Sequence, residues 1–107
     1  MQRVAMVIRL RPERAEEYER LHAEPWQEVL VALRAAHITN YSIFRHGDLL
    51  FGYFEYHGDD LDADLATVAA DPATQRWWQL TDPCQEPLPT APPGSWWADM
   101  KPVFLME

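Results

Sequence analysis

Apolar positions along the chain follow two alternating periods. From Gln2 to Leu10 (QRVAMVIRL), Val4, Met6, Ile8 and Leu10 recur at every second position, which predicts a strand. Ala5 and Val7 make its other face largely apolar too, so this strand is expected to be covered on both sides. From Arg11 to Ala36 the spacing changes to three and four. Ala15, Tyr18, Leu21, His22, Trp26, Val29, Leu30 and Leu33 then share one stripe of a helix. Pro12 suits its first turn, and Glu13, Glu16 and Glu17 suit the positive end of the helix dipole. Pro25 removes a backbone donor and crowds the preceding turn, which predicts a bend or break there.

Period two returns from His37 to Arg45 (HITNYSIFR), with Tyr41 and Ile43 on one face and Ser42 and Phe44 on the other. A short turn at His46-Gly47-Asp48 leads into a third strand, Leu49 to Tyr56 (LLFGYFEY), apolar on both faces. Gly58-Asp59-Asp60 caps a second helical stripe of Leu61, Leu65, Val68 and Ala69, with Asp62 and Asp64 on the solvated side. Asp71-Pro72 restarts the helix through Gln75-Arg76-Trp77-Trp78-Gln79. Six of the nine prolines lie between Pro83 and Pro102, so that stretch reads as an ordered loop. Lys101 to Met106 (KPVFLM) then closes the chain as a short strand, with Pro102 tolerated at its start.

Strand, helix, strand, strand, helix, strand is the order of an α+β, ferredoxin-like βαββαβ fold. All 107 residues form a single domain (1–107), with an antiparallel sheet covered by helices on one face. The other sheet face is bare in a monomer. A two-fold partner packed sheet against sheet would cover it, so a homodimer is expected.

Composition narrows the partners. A hydrophobic content of 48% belongs to a folded chain, and a net charge of −8 argues against nucleic acid or an anionic membrane, whose phosphates it cannot neutralise. A neutral or cationic small molecule fits better. The lone Cys84 excludes an internal disulfide and a thiolate zinc cluster. Met1 is followed by no charged-then-apolar leader, and no apolar run is long enough to span a bilayer, which predicts a soluble, cytoplasmic protein.

Candidate chemistry is sparse. Tyr18 and His22 are four residues apart and therefore neighbours on the helix stripe. They either pack in the core with their polar tips satisfied by backbone, or face a pocket; spacing alone leaves both open. Trp77 and Trp78 point about 100° apart, so one can face the core while the other lines something else. Both could equally be core residues. Trp96-Trp97 lies in the proline-rich loop and suits either loop anchoring or a dimer contact. His37, His46 and His57 fall at strand ends or in a turn, where solvated roles prevail. No histidine–acid spacing suits a metal, no glycine-rich phosphate loop is present, and Cys84 among prolines in an open loop has no activating base. By elimination, acid–base work falls to His22, whose ordinary pKa lies nearest neutrality.

Several segments together resemble the L-rhamnose mutarotases, small dimeric α+β barrel proteins of sugar metabolism. They are EEYERLH (Glu16 to His22), Trp26 with Glu28, NYSIF (Asn40 to Phe44), DLLFGYFE (Asp48 to Glu55), QRWWQLTD (Gln75 to Asp82) and the closing PVFLM. The first and the QRWW segments are the specific ones, and the likeness runs nearly end to end. It implies an isomerase of the aldose 1-epimerase type that interconverts α and β anomers of a free 6-deoxyhexose, L-rhamnose before L-fucose. His22 would match the family's proton donor, and Tyr18, Tyr41, Trp77 and Trp78 its sugar-contacting positions. Opening and reclosing a hemiacetal needs only proton transfers, so no metal or cofactor is expected. The stretch around Pro25-Trp26 and the loop from Pro83 to Ala98 depart from the family pattern. Two other readings of the same barrel are a non-catalytic small-molecule binding module and a cofactor-free oxygenase.

Overall fold

The computed structural model describes residues 1–107. The first strand, β1 (Gln2–Leu10), lies in the middle of the sheet. A 3-10 turn over Pro12–Arg14 leads into α1 (Ala15–Ala23), and after a break at Pro25 the chain resumes as α2 (Gln27–Ala35). Of the bend or break expected at Pro25, the chain takes the break. Trp26 there adopts extended backbone, with φ −73° and ψ 132°. Strands β2 (Ile38–His46) and β3 (Leu49–Tyr56) form a hairpin, and α3 (Leu61–Ala70) and α4 (Pro72–Thr81) follow. Asp60 caps α3 and Asp71 caps α4, each accepting a backbone N–H three residues on.

All pairings are antiparallel, in the order β2-β3-β1, and the far edge of β1 carries the fourth strand position. That position is shared by two short pieces. β4 (Gln85–Glu86) pairs with Leu10 and Arg9, and β5 (Ala98–Asp99) pairs with Val7 and Met6. The proline-rich segment 87–97 is therefore an excursion out of one strand, which leaves the sheet and returns to the same edge. The architecture is the expected α+β one, with the helices on one face.

The closing strand is a correction. Sequence alternation puts it at Lys101–Met106, but the pairing stops at Met100, whose N–H donates to the Ala5 carbonyl at 2.9 Å. Pro102 has no N–H to continue the ladder, and the chain runs on without regular structure. Val103, Phe104, Leu105 and Met106 are left exposed.

A second departure lies in β2. Thr39 pairs with Glu55 and Ser42 with Tyr53, so Asn40 and Tyr41 together oppose Phe54. This is a β-bulge. Asn40 adopts φ +51°, a left-handed conformation that asparagine tolerates better than branched residues, and its amide donates to the Glu55 carboxylate at 2.7 Å. Without the extra residue Ile38 and Ile43, five apart, would face opposite sides of the sheet. With it, both face the helices, and Tyr41 stacks on Phe54 with ring centroids 5.4 Å apart.

The core is divided. One cluster joins Ile8, Leu10, Ala15, Tyr18, Leu50 and Cys84; the other joins Ala36, Ile38, Phe54, Tyr56 and Val68. Cys84 is fully buried in the first cluster, not in an open loop as its proline neighbours suggest. Asp64 is also less solvated than its helix position implies, because it accepts hydrogen bonds from the Tyr56 hydroxyl and from His37. His37, His46 and His57 are exposed. No helix is long and apolar enough to cross a membrane.

Candidate active site

Between the sheet and the helices lies a cavity of about 830 Å³, bordered by members of both core clusters. This is within the ~300–1,000 Å³ range of small-molecule sites. All five side chains singled out from the sequence, Tyr18, His22, Tyr41, Trp77 and Trp78, line it. They come from three separate elements. α1 supplies Tyr18 and His22 one turn apart, the bulge in β2 supplies Tyr41, and α4 supplies the two tryptophans.

His22 Nδ1 lies 2.8 Å from the backbone carbonyl of Tyr18. A carbonyl only accepts, so Nδ1 carries the proton, and in the neutral ring Nε2 is left as a bare base. Burial pushes the His22 pKa below its ordinary 6.5, and the carbonyl bond opposes this only in part. The imidazole is therefore neutral at pH 7. Its ring centroid lies 4.1 Å from that of Tyr18, with the planes tilted by 30°, and 5.3 Å from that of Trp77 in an edge-on arrangement. Trp77 meets Trp26 in a second edge-on contact at 5.3 Å. The break at Pro25 matters here, because it lets Trp26 turn inward.

The two tryptophans divide as their 100° offset requires. Trp77 is 6% exposed and braces His22, whereas Trp78 is 39% exposed and offers the more open indole to the cavity. Asp71 fixes the helix that carries them, accepting at 2.9 Å from both the N–H and the hydroxyl of Thr74. Burial drives the Tyr18 phenol far above its ordinary pKa, partly offset by a hydrogen bond from Gln85. Tyr41 is 38% exposed, and partial loss of solvent beside Phe54 pushes its phenol up from the ordinary value. Both phenols are thus un-ionised near neutrality and serve as donors.

Sequence reasoning missed Gln85, Asp82 and Asp99, which also line the cavity. Asp82 is exposed on one side, and partial desolvation on the other pushes its carboxyl up from the ordinary value. Gln85 precedes the first excursion proline, and no periodicity marks it. Trp96 and Trp97 return to the cavity wall, and the Trp96 indole donates to the Gln85 carbonyl oxygen at 2.8 Å. That contact agrees with loop anchoring. No three His, Cys, Asp or Glu side chains are grouped so as to hold a metal ion.

An aromatic-walled cavity with one neutral histidine beside a tyrosine, set on a ferredoxin-like sheet, defines the class: an α+β barrel protein with a small-molecule cavity and a candidate acid–base pair in its wall. Comparison with known proteins narrows this. The L-rhamnose mutarotase family profile matches residues 3–106. The chain is 35% identical to an L-rhamnose mutarotase of Listeria monocytogenes over 108 residues, covering 99% of both sequences. It is 38% identical to one from Opitutus terrae over 93 residues, 85% of each. The crystal structure of an L-rhamnose mutarotase from Formosa agariphila superposes with a TM-score of 0.78 over 100% of both chains, at 22% identity. Tetracenomycin F2 cyclase from Streptomyces glaucescens, a type-II polyketide cyclase, superposes at 0.72 and 19% identity over 100% of both chains. These last two likenesses concern the fold. The chain belongs to the L-rhamnose mutarotase family and is an enzyme of the isomerase class.

Proposed function

We infer that this chain interconverts the α and β anomers of a free 6-deoxyhexose, with L-rhamnose the first substrate and L-fucose the second, in the manner of an aldose 1-epimerase. The observation that carries the reading is the meeting of His22, Tyr18, Tyr41, Trp77 and Trp78 around one cavity, in a chain matched to the family almost end to end. Opening the pyranose requires the anomeric hydroxyl to lose a proton while the ring oxygen gains one. Rotation about the first carbon–carbon bond and reclosure then give the other anomer. His22 acts as acid and base at the ring, and Tyr18 either positions it or carries the second proton. Tyr41, Asp82 and Asp99 supply hydrogen bonds to hydroxyls, and the open face of Trp78 packs against the apolar face of the sugar. Such proton assistance is worth roughly 10²–10⁴ in rate.

A homodimer belongs to this reading. Ala5, Val7, Phe44 and Phe51 lie together on the sheet face away from the helices, with Phe44 67% exposed. The exposed apolar tail from Val103 to Met106 adds to the surface available to a second copy. A cytoplasmic location accords with a substrate that is a free sugar.

The test is saturation-transfer NMR on equilibrated L-rhamnose and L-fucose, with the wild type and His22→Ala. Exchange between the two anomeric proton signals that depends on His22 is the expected result. No exchange with either sugar from a folded protein moves the assignment to a binding module. Oxygen consumption with an aromatic substrate moves it to an oxygenase.

A further inference from the structure

The proline-rich excursion brings to the cavity an indole for which opening a single sugar ring has no use. Its two tryptophans divide. Trp97 packs onto the core cluster that contains Tyr18, so its ring is wall. Trp96 is 39% exposed, as Trp78 is, and both line the cavity. The Trp96 indole N–H donates to Gln85 Oε1 at 2.8 Å, and Gln85 Nε2 donates to the Tyr18 hydroxyl at 3.1 Å. An indole has one polar atom, and here that atom is bound within the protein. What Trp96 has left to offer is the face of its ring. Gln85 is 4% exposed, so the tie is buried and holds the indole in a fixed place. That place is one side-chain amide away from the Tyr18 hydroxyl, a separation on the scale of a pyranose ring.

The volume of the cavity points the same way. At the ~30 Å³ that liquid water allots to each oxygen, the about eleven non-hydrogen atoms of a 6-deoxyhexose need at most roughly 300–350 Å³. The cavity holds about 830 Å³, so one ring leaves more than half of it empty. Asp99, three residues beyond Trp96, and Asp82 also line it, and no lysine or arginine in its wall pairs with them. Their oxygens are thus free to accept from hydroxyl groups. An indole face beside free carboxylates suits a neutral sugar, which stacks by its C–H face and donates from its hydroxyls.

We propose that the excursion builds a second sugar subsite, in which the face of Trp96 carries a neutral pyranose linked to the reducing 6-deoxyhexose. The protein then mutarotates the reducing end of a disaccharide as well as the free monosaccharide. The proposal rests on the mutarotase reading above. The link uses a hydroxyl other than the anomeric one, because the anomeric hydroxyl must lose its proton for the ring to open. The reducing ring keeps its place beside Tyr18, His22 and Trp78, and the second ring lies across Trp96 with Asp99 at its hydroxyls. A uronic acid is disfavoured there, since its carboxylate would meet Asp82 and Asp99 with no cation between them.

Saturation-transfer NMR on reducing disaccharides of two L-rhamnose units, one for each available linkage, tests this beside L-rhamnose itself. The wild type should exchange the reducing-end anomers of at least one linkage. In Trp96→Ala the ratio of disaccharide to monosaccharide kcat/KM should fall by about 3–10-fold, the range of one lost stacking contact, and the change should lie in KM. A wild type that exchanges L-rhamnose but no disaccharide overturns the proposal, and so does a ratio that Trp96→Ala leaves unchanged. Titration of the wild type with the methyl glycosides, whose rings cannot open, reads the subsite without turnover and without a variant that must fold. The Trp96 indole N–H signal, assigned by its loss in Trp96→Phe, should shift with the methyl disaccharide and far less with methyl rhamnoside. A signal that moves equally with both, or with neither, refutes the subsite. A wild type that exchanges no sugar while this signal follows the methyl disaccharide breaks the mutarotase reading and leaves the subsite standing.

Discussion

Replacing His22 by asparagine separates the chemistry of the site from its packing. The asparagine amide can still donate to the Tyr18 carbonyl that Nδ1 contacts at 2.8 Å, but it has no basic atom in place of Nε2. Two ring contacts are lost, with Tyr18 at 4.1 Å and with Trp77 at 5.3 Å. At about 0.5–1.5 kcal/mol each, they cost roughly 1–3 kcal/mol of stability. A small domain holds about 5–15 kcal/mol, so the variant stays folded at 25 °C. Loss of general acid–base assistance removes about 10²–10⁴ in rate, which is about 3–5 kcal/mol on the barrier. The chemical loss therefore shows in kcat without an unfolded population to explain it. Anomer exchange measured by NMR, beside near-ultraviolet circular dichroism as a check on packing, reads both quantities. A folded His22→Asn protein that exchanges L-rhamnose within threefold of the wild-type rate would refute the assignment of the base.

The pH dependence has a definite sign. His22 is pushed below 6.5 by burial, so activity should hold through pH 6.5 and fall only on the acid side of it, and an acid limb centred at or above 6.5 in the rate profile contradicts the burial argument. The same shift means that the unfolded chain binds the proton more readily, so the stability tied to neutral His22 is complete above pH 6.5 and declines as pH falls toward the folded pKa, measurable by urea titration. Leu50→Ala, at a side chain 1% exposed in the cluster under Tyr18, should cost about 2–5 kcal/mol in urea unfolding; a loss below 1 kcal/mol would mean the site collapses around the gap. Asn40→Val should destabilise by roughly 1–2 kcal/mol while Asn40→Gly does not, because the bulge holds this residue at φ +51°; equal stabilities would show that the backbone relaxes. Phe44→Asp should shift a homodimer to monomer in sedimentation, and an unchanged mass would exclude this sheet face as the interface.

Much of this protein is legible in its sequence because local periodicity and chain punctuation are local physics. Alternating Val4, Met6, Ile8 and Leu10 mark β1, and the break at Pro25 and the restart at Asp71-Pro72 divide the helices where a missing N–H and a capping carboxylate demand it. The four-residue spacing of Tyr18 and His22 makes them neighbours in any α-helix. What spacing leaves open is whether they face a packed core or a hollow, since both are apolar-side positions. Only the assembled sheet and helices answer that, by leaving a cavity between two core clusters.

Three further features had to wait for the tertiary structure, and each depends on groups distant in the chain. The bulge at Asn40-Tyr41 exists because β2 must register with β3, and it decides the direction of Tyr41. The last paired strand falls at Ala98–Asp99 and not at Lys101–Met106, because pairing depends on the free edge of β1 and stops before Pro102, whatever the alternation of side chains beyond it. Gln85 meets Tyr18 across 67 positions and Trp96 across 11, and no pattern in the sequence encodes the direction of that amide. Sequence alone determined which residue types are available for proton transfer. Folding decided which of them meet, and in which direction their hydrogen bonds run, because a hydrogen bond's direction depends on partners that only the folded chain brings together.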